Sequence, residues 1–394
     1  MKLDINICNN IKSIRTRLGM SQQDLANIAG VTRQTISGVE SGQYAPSVAI
    51  TLRLAKALGC QVENLFWLED DLPEIEAVLA KPVPTGQQLR VSLAKVGGQW
   101  IAYPLVGKEA FRMEMIPADG KAESQTHTNK VQVRLLDDLD KLQNTVVIAG
   151  CTPVISFLAR ATERWHPQLR VHYHFANSMA ALRSLNRGEV HIAGMHLYDP
   201  QTGEHNIPFA REALDGRSAV LITLGIWEEG LVVAPGNPME IKSLSDLVEL
   251  EAKIINREPG SGSRMLLERK LKEEKVSANA IKGYEHIVHS HQDVALSIAA
   301  GIADAGVSTA SVAAAFGLGF IPLHQARYDL VILKEYLEES PVQQFLSILG
   351  HRLVQSQLEV LGGYDISDIG EVVANYLELN NQLSIYYEQR GYSH

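Results

Sequence analysis

Residues 255–264 read INREPGSGSR, and a long amphipathic run, MLLERKLKEEK, follows at once. An apolar start, a Gly-Ser-Gly-Ser turn and an amphipathic continuation predict a strand, a tight loop and a helix. A helix start of this kind presents unpaired backbone N–H groups and a partial positive charge to whatever lies before it. Gly260 and Gly262 let a ligand approach the backbone, Ser261 and Ser263 supply hydroxyls, and Arg264 can pair bidentately with an oxyanion. The stretch is therefore expected to hold an anion. It is not a nucleotide loop: GxxxxGK[ST] and GxGxxG are both absent, and no Lys follows the glycines.

The same architecture recurs around it. From residue 145 strand and helix patterns alternate: TVVIAG, then PVISFLARATERW, then VHYHFAN, then SMAALRSLNRG, then VHIAGMHL, with GLVVAP, AKIINRE and ADAGV later. Such alternation implies mostly parallel sheet covered by helices, with ligands at the carboxyl ends of the strands. Two further helix openings follow buried strands. AGCTP places Thr152 as cap and Pro at the first helical position, and FANSMAAL does the same with Asn177 and Ser178. Three hydroxyl-rich openings can converge on one small tetrahedral oxyanion.

Other chemistries find little support. GxSxG, HExxH and a marked Ser/His/Asp set are missing, so no enzyme activity is expected. His172, His174, His191, His196, His289 and His291 stand out among 13 histidines, but neither HxxxH nor Cys–His spacing accompanies them. They are read as surface or hydrogen-bonded core residues, with His196 and Asp199 at the edge of the cleft, and no metal site is expected. Cys8, Cys60 and Cys151 are too few for a disulfide framework.

The amino-terminal end has a different texture. Residues 9–68 read as short helices: NNIKSIRTRLG, MSQQDLANIAG capped by Ser21, VTRQTISGVESG capped by Thr32, SVAITLRLAKALG capped by Ser47, and VENLFWL. The middle segments have the layout of a helix-turn-helix. Its second helix exposes Arg33, Gln34 and Ser37, with Thr32 and Thr35 beside them, while Ile36 and Val39 point inward. Gln34 suits adenine and Arg33 guanine, and Gln22 stands where a phosphate contact is expected. Residues 1–67 carry seven Lys/Arg against four acids, and the remainder 29 against 41, so a basic head sits on an acidic body.

Between them, residues 69–87 read as a linker rich in acids and Pro. Residues 88–143 read as a small β module: Val91 and Leu93 alternate, Gly97-Gly98 makes a hairpin, and Phe111, Met113 and Met115 share a face. Residues 144–394 form the ligand-binding body. No run reaches the ~18 apolar residues of a membrane span, and the first residues lack a signal peptide's apolar region, so a cytoplasmic protein is expected.

Two resemblances sharpen this reading. SQQDLA, GVTRQTIS, VESGQYAPS and LAKALG resemble the lambda-repressor/Cro-like helix-turn-helix family, although Gly38 stands where that family often has a long polar side chain. VVIAGCTP, ANSMAALRSLNRGEVHIAGMHLYDPQTGEHN, EEGLVVAPGNP, INREPGSGSR, IAAGIADAGVSTASVA, FIPL and LGGYD resemble cytoplasmic relatives of the periplasmic molybdate-binding proteins. The second resemblance implies a two-lobed type II body that closes on its ligand, with lobe 1 over about 144–225 and 313–394 and lobe 2 over about 226–312. It also implies a ligand shell of Thr152, Asn177, Ser178, Ser261, Gly262, Ser263, Arg264, Gln292 and Ser308. The fold class expected is thus α+β multidomain: a helical head, a β module and a two-lobed α/β body. The function expected is a homodimeric transcription regulator that binds a double-stranded DNA operator and senses molybdate or tungstate, with no cofactor. The alternatives are the same regulator responding to sulfate, a sulfonate or the molybdenum cofactor, and a molybdenum-cofactor enzyme or carrier with an accessory head.

Overall fold

The computed structural model describes residues 7–68, 73–83, 88–111, 115–123 and 129–375. The chain divides into two compact units, with the boundary at Glu74/Ile75.

In the first unit, four helices span Ile11–Arg17, Gln22–Ala29, Arg33–Glu40 and Val48–Leu58. Their starts are fixed by side chains: Ser21 and Asp24 form a reciprocal capping box, Thr32 accepts from the N–H of Thr35, and Ser47 from that of Ile50. Gly30, at φ 65°, makes the left-handed turn between the second and third helices. Leu25, Ala29, Ile36, Val39, Leu54 and Leu58 close the core. Across it Arg15 pairs with Glu40 at 2.6 Å, joining the first helix to the third. VENLFWL is not a helix. A single 3-10 turn, Val62–Asn64, gives way to a strand, Phe66–Leu68, paired antiparallel with Ile7–Asn9. Aromatic residues favour such a pairing over one more helical turn.

The second unit begins with a closed five-stranded barrel of Glu74–Leu79, Gln88–Val96, Gln99–Pro104, Gly120–Glu123 and Lys130–Leu135. Its interior holds Ala77, Leu89, Val91, Leu93, Val131, Val133 and Leu135, and Leu142 of the following helix packs with them. The first strand lies inside the segment expected to be a linker. EIEAVL alternates, burying Ala77 while Glu74 and Glu76 face outward, and those outward acids were what gave it a linker's composition. The expected strand face at 111–115 does not form. Phe111 and Met115 meet only in an isolated bridge and are exposed, and Met113 lies outside the described residues.

Ala94, Val96, Ile101 and Tyr103 point out of the barrel into the core of the first lobe. Polar contacts fix that seam. The buried Asp119 carboxylate accepts from Ser92 Oγ at 2.8 Å, from the Leu93 N–H at 2.8 Å and from Arg170 Nη2 at 2.7 Å.

Behind the barrel lies a ten-stranded sheet. The first lobe is built on the parallel strands Thr145–Gly150, Arg170–Phe175 and Ile192–Met195, and the second on Ile254–Arg257, Ile287–Val288 and Ala305–Thr309. Two fifteen-residue strands, Ala219–Val233 and Gly319–Leu333, pair antiparallel along their lengths and run through both lobes. The far end of the first pairs with Ala305–Thr309, and the far end of the second with Ile192–Met195. The return to lobe 1 therefore does not fall at residue 313. Ala313 and Phe320 pack in the second lobe's core, and the chain crosses back within Gly319–Leu333. A strand that continues unbroken across the lobes leaves no turn signal to mark the boundary.

Asp119 accepts from two barrel donors, Ser92 and Leu93, and ties them to the lobe through Arg170. Replacing it by Ala is expected to destabilise the second unit by about 2–3 kcal/mol, because buried donors lose their acceptor, and Asp119→Asn by less. Urea unfolding of both variants checks this.

Candidate functional site

On the recognition helix, Arg33, Gln34 and Ser37 are exposed and Ile36 and Val39 buried. Thr32 and Thr35 are joined at their hydroxyls at 2.9 Å, so their first role is to start the helix. Gln22 differs from expectation. Its amide donates to Glu40 Oε2 at 2.8 Å, turning toward the Arg15–Glu40 pair rather than outward for a phosphate. Gly38 has a local cause: the Tyr44 N–H donates to its carbonyl at 3.0 Å, and a Cβ there would lie 3.3 Å from Tyr44 Cβ. The loop after the helix folds back over this position, so a longer side chain would have to displace Tyr44 by a few tenths of an ångström.

The body's strands end in one cleft between the lobes. Cys151 and Thr152 follow Thr145–Gly150, Ser178 opens the helix Ser178–Asn186, and His196 follows Ile192–Met195. The second lobe brings Arg257, Ser261, Ser263, His291 and Ser308, all buried. INREPGSGSR folds as read: a strand, Ile254–Arg257, and a helix, Gly262–Glu273, with Ser261 as its cap. The lobes touch here. The N–H of Met179 donates to the carbonyl of Gly260 at 3.3 Å, Asn177 Nδ2 donates to Glu258 Oε1 at 3.1 Å, and a Cβ at Gly262 would overlap the carbonyl oxygen of His196.

Of the nine residues expected to line the ligand, the hydroxyl-bearing ones converge, but their hydroxyls are engaged within the protein. Ser261 Oγ donates to the Glu258 carbonyl at 2.9 Å, Ser263 Oγ to Glu229 Oε1 at 2.9 Å, and Ser308 Oγ to the His291 carbonyl at 3.2 Å. Ser178 Oγ accepts from the His196 N–H at 3.2 Å, and Thr152 Oγ from that of Val154 at 3.3 Å. Gln292 is exposed, next to the buried His291. Arg264 turns away from the cleft. Its guanidinium meets Glu268 at 2.8 Å and the Arg257 carbonyl at 3.2 Å and lies over the Tyr284 ring, because Glu268 stands one helical turn further on.

The cation of the cleft is Arg257, two residues into the quoted stretch. It is 1% exposed, its Nε and Nη2 meet Glu258, and its Nη1 has no partner among the described residues. Trp227 Nε1 and His291 Nε2 are likewise buried without a partner. Glu229 on the long strand is 2% exposed and lies 3.3 Å from His196 Nδ1. Burial alone would push the His196 imidazole down; Glu229 and then Cys151 outweigh it and hold the ring at about 10. Burial raises Glu229, but the facing His196 outweighs it and holds the carboxylate below its ordinary range, so the two form a neutral ion pair. His291 goes the other way: burial, then Arg257, pushes it well below the ordinary imidazole value. A cavity of about 170 Å³ borders the pair, lined by His196, Tyr198, Glu229, Gly262, Arg269 and His324 among others. Sequence reasoning passed over Arg257, Glu229 and Cys151, because their meeting depends on sheet order and no local spacing records it.

Residues 11–65 match the helix-turn-helix family, and residues 159–350 match the PBP superfamily domain. The uncharacterized protein YvgK of Bacillus subtilis is 34% identical over 199 residues, which cover 50% of this chain. The chain spans only 64% of that relative's length. The uncharacterized HTH-type transcriptional regulator YgzD of Bacillus subtilis is 43% identical over 63 residues, covering 16% of this chain and 96% of the relative. A substrate-binding protein assigned to phosphate ABC transport in Clostridium perfringens, solved with bound phosphate, covers 57% of this chain and 100% of its own at 15% identity and a TM-score of 0.44. Among the described residues no helix is long and apolar enough to cross a membrane. The chain belongs to the helix-turn-helix transcriptional regulators, with that domain at residues 11–65 ahead of a two-lobed body of the periplasmic-binding-protein type.

Proposed function

We propose that the chain is a ligand-responsive transcription regulator whose body closes on a small divalent oxyanion of the molybdate or tungstate class. The observation that carries the anion reading is Arg257: a buried guanidinium with one nitrogen left without a partner among the described residues, at the strand ends where helix starts of both lobes meet. With Glu229 neutralised by His196, an incoming dianion faces Arg257, the unpartnered Trp227 N–H and backbone N–H groups. The hydroxyls of Ser261, Ser263 and Ser308 hold the walls in place rather than gripping the ion, and Arg257 takes the role first given to Arg264. Closure then shifts the pairing of two heads on a palindromic operator, with half-sites about one helical turn, ~34 Å, apart. The strength of that switch equals the ligand's differential affinity for the open and closed forms.

A thermal-shift panel of molybdate, tungstate, sulfate and phosphate tests the ligand class. At about 100 times Kd the bound oxyanion should add about 2.7 kcal/mol, and Arg257→Gln should remove the shift without unfolding the protein. A shift that survives in Arg257→Gln contradicts the assignment. Gly262→Ala is expected to prop the lobes apart against the His196 carbonyl and weaken the same ligand about tenfold or more, read by calorimetry; unchanged affinity would show that closure at Gly262 is not part of binding. For the head, Arg33→Ala with Gln34→Ala should erase the preference for operator over unrelated duplex in fluorescence anisotropy, while a preserved preference would place recognition elsewhere.

A further inference from the structure

Cys151 and His196 each follow the last residue of a strand of the first lobe, and His291 opens the helix His291–Ala299 of the second. All three are buried, and one ligand atom from each lies within 4.8 Å of the other two. From this cluster we infer that the cleft binds a transition-metal ion of the zinc class, ligated by Cys151 Sγ, His196 and His291, which ties the two lobes together. The inference shares a cleft with the proposed oxyanion but needs no anion to hold.

The hydrogen-bond network engages Nδ1 of each imidazole, and at His196, protonated in its pair with Glu229, the metal takes the place of the second ring proton. Ser308 Oγ donates to the His291 carbonyl, so at 3.2 Å it accepts from His291 Nδ1–H. That leaves the lone pair on His291 Nε2, the atom that is buried with no partner among the described residues. His196 Nδ1 faces Glu229 Oε2 at 3.3 Å, and the other carboxylate oxygen is fixed by Ser263 Oγ at 2.9 Å. A carboxylate behind one ligating histidine and a hydroxyl behind the other is the outer shell that orients metal ligands and raises their basicity.

Charge and softness point the same way. Two helix starts nearby disfavour a lone cation, but a Cys151 thiolate and the Glu229 carboxylate together balance a dication. One thiolate with two imidazoles selects zinc, cobalt or copper over magnesium or calcium. Metal–sulfur bonds of about 2.3 Å and metal–nitrogen bonds of about 2.0–2.1 Å set ligand edges near about 3.5 Å. The cluster has only to draw in by about 1 Å, within reach of side-chain rotation. Because the ligands come from both lobes, the ion stabilises the closed form at the expense of the open one.

Cobalt(II) titration of the full chain in chloride buffer, with no oxyanion added, tests this. One Co²⁺ per chain is expected, with thiolate-to-cobalt charge transfer in the near ultraviolet, intense visible bands of a tetrahedral ion, and displacement by Zn²⁺. Cys151→Ser should abolish the charge-transfer band, and His291→Gln should weaken binding at least about tenfold, with folding of both checked by circular dichroism. Arg257→Gln, which removes the anion contact and a cation acting on His291, should leave cobalt binding at least as tight as in the wild type. A wild-type protein without the charge-transfer band overturns the metal site, as does a band that persists in Cys151→Ser or an affinity unchanged in His291→Gln. Tungstate stabilisation that continues despite any of these results shows that the metal site alone has failed.

Discussion

Two antiparallel strands, Ala219–Val233 and Gly319–Leu333, are the constraint on which the body depends. Each runs through both lobes, so the lobes share one sheet and their relative position is set by how that pair bends. The register between the strands shifts at Thr223/Gly225 and at Glu229/Gly230, and Gly225 sits at φ 125°. Such irregularities bend a strand and increase its local twist. They flank Trp227 and Glu229, which places the aromatic wall and the carboxylate of the cleft on the bent segment of the strand. Ligands held by both lobes therefore act on the same element that carries part of the site.

The cleft's electrostatics follow from burying charge. Glu229 is neutralised by His196 and Arg257 by Glu258, and each pair keeps a buried ion from standing alone. Arg257 has one nitrogen without a partner among the described residues, the nitrogen that the proposed oxyanion would meet with the Glu258 pair still in place. The serines do different work: they fix Glu229, His291 and the 258–261 turn in place. Precision at a binding site depends on that support as much as on the contacts themselves.

Much of the fold was legible because local rules agree with the tertiary structure. Ser21, Thr32 and Ser47 cap the helices they were expected to cap, and INREPGSGSR is the strand, loop and helix its pattern predicts. The errors have specific causes. Glu74–Leu79 looked like a linker because a barrel strand with an acidic outer face has a linker's composition. VENLFWL ended in a strand because Ile7–Asn9, far off in sequence, offered an edge to pair with. Arg264 was singled out because the loop's pattern shows which residue stands at the helix start, whereas Glu268 and Tyr284 decide where its side chain goes. Cys151, His196 and His291 carry no shared spacing; only the strand order brings them together.

The proposed function requires that occupancy of the cleft be coupled to DNA binding by the head. Titration of the full chain into a labelled operator, with and without saturating tungstate, measures that coupling directly. A shift of about 5-fold or more in operator affinity is expected, the low end of ordinary allosteric coupling, and by reciprocity the same shift in tungstate affinity when operator is present. Tungstate that binds the body yet leaves operator affinity unchanged would contradict it.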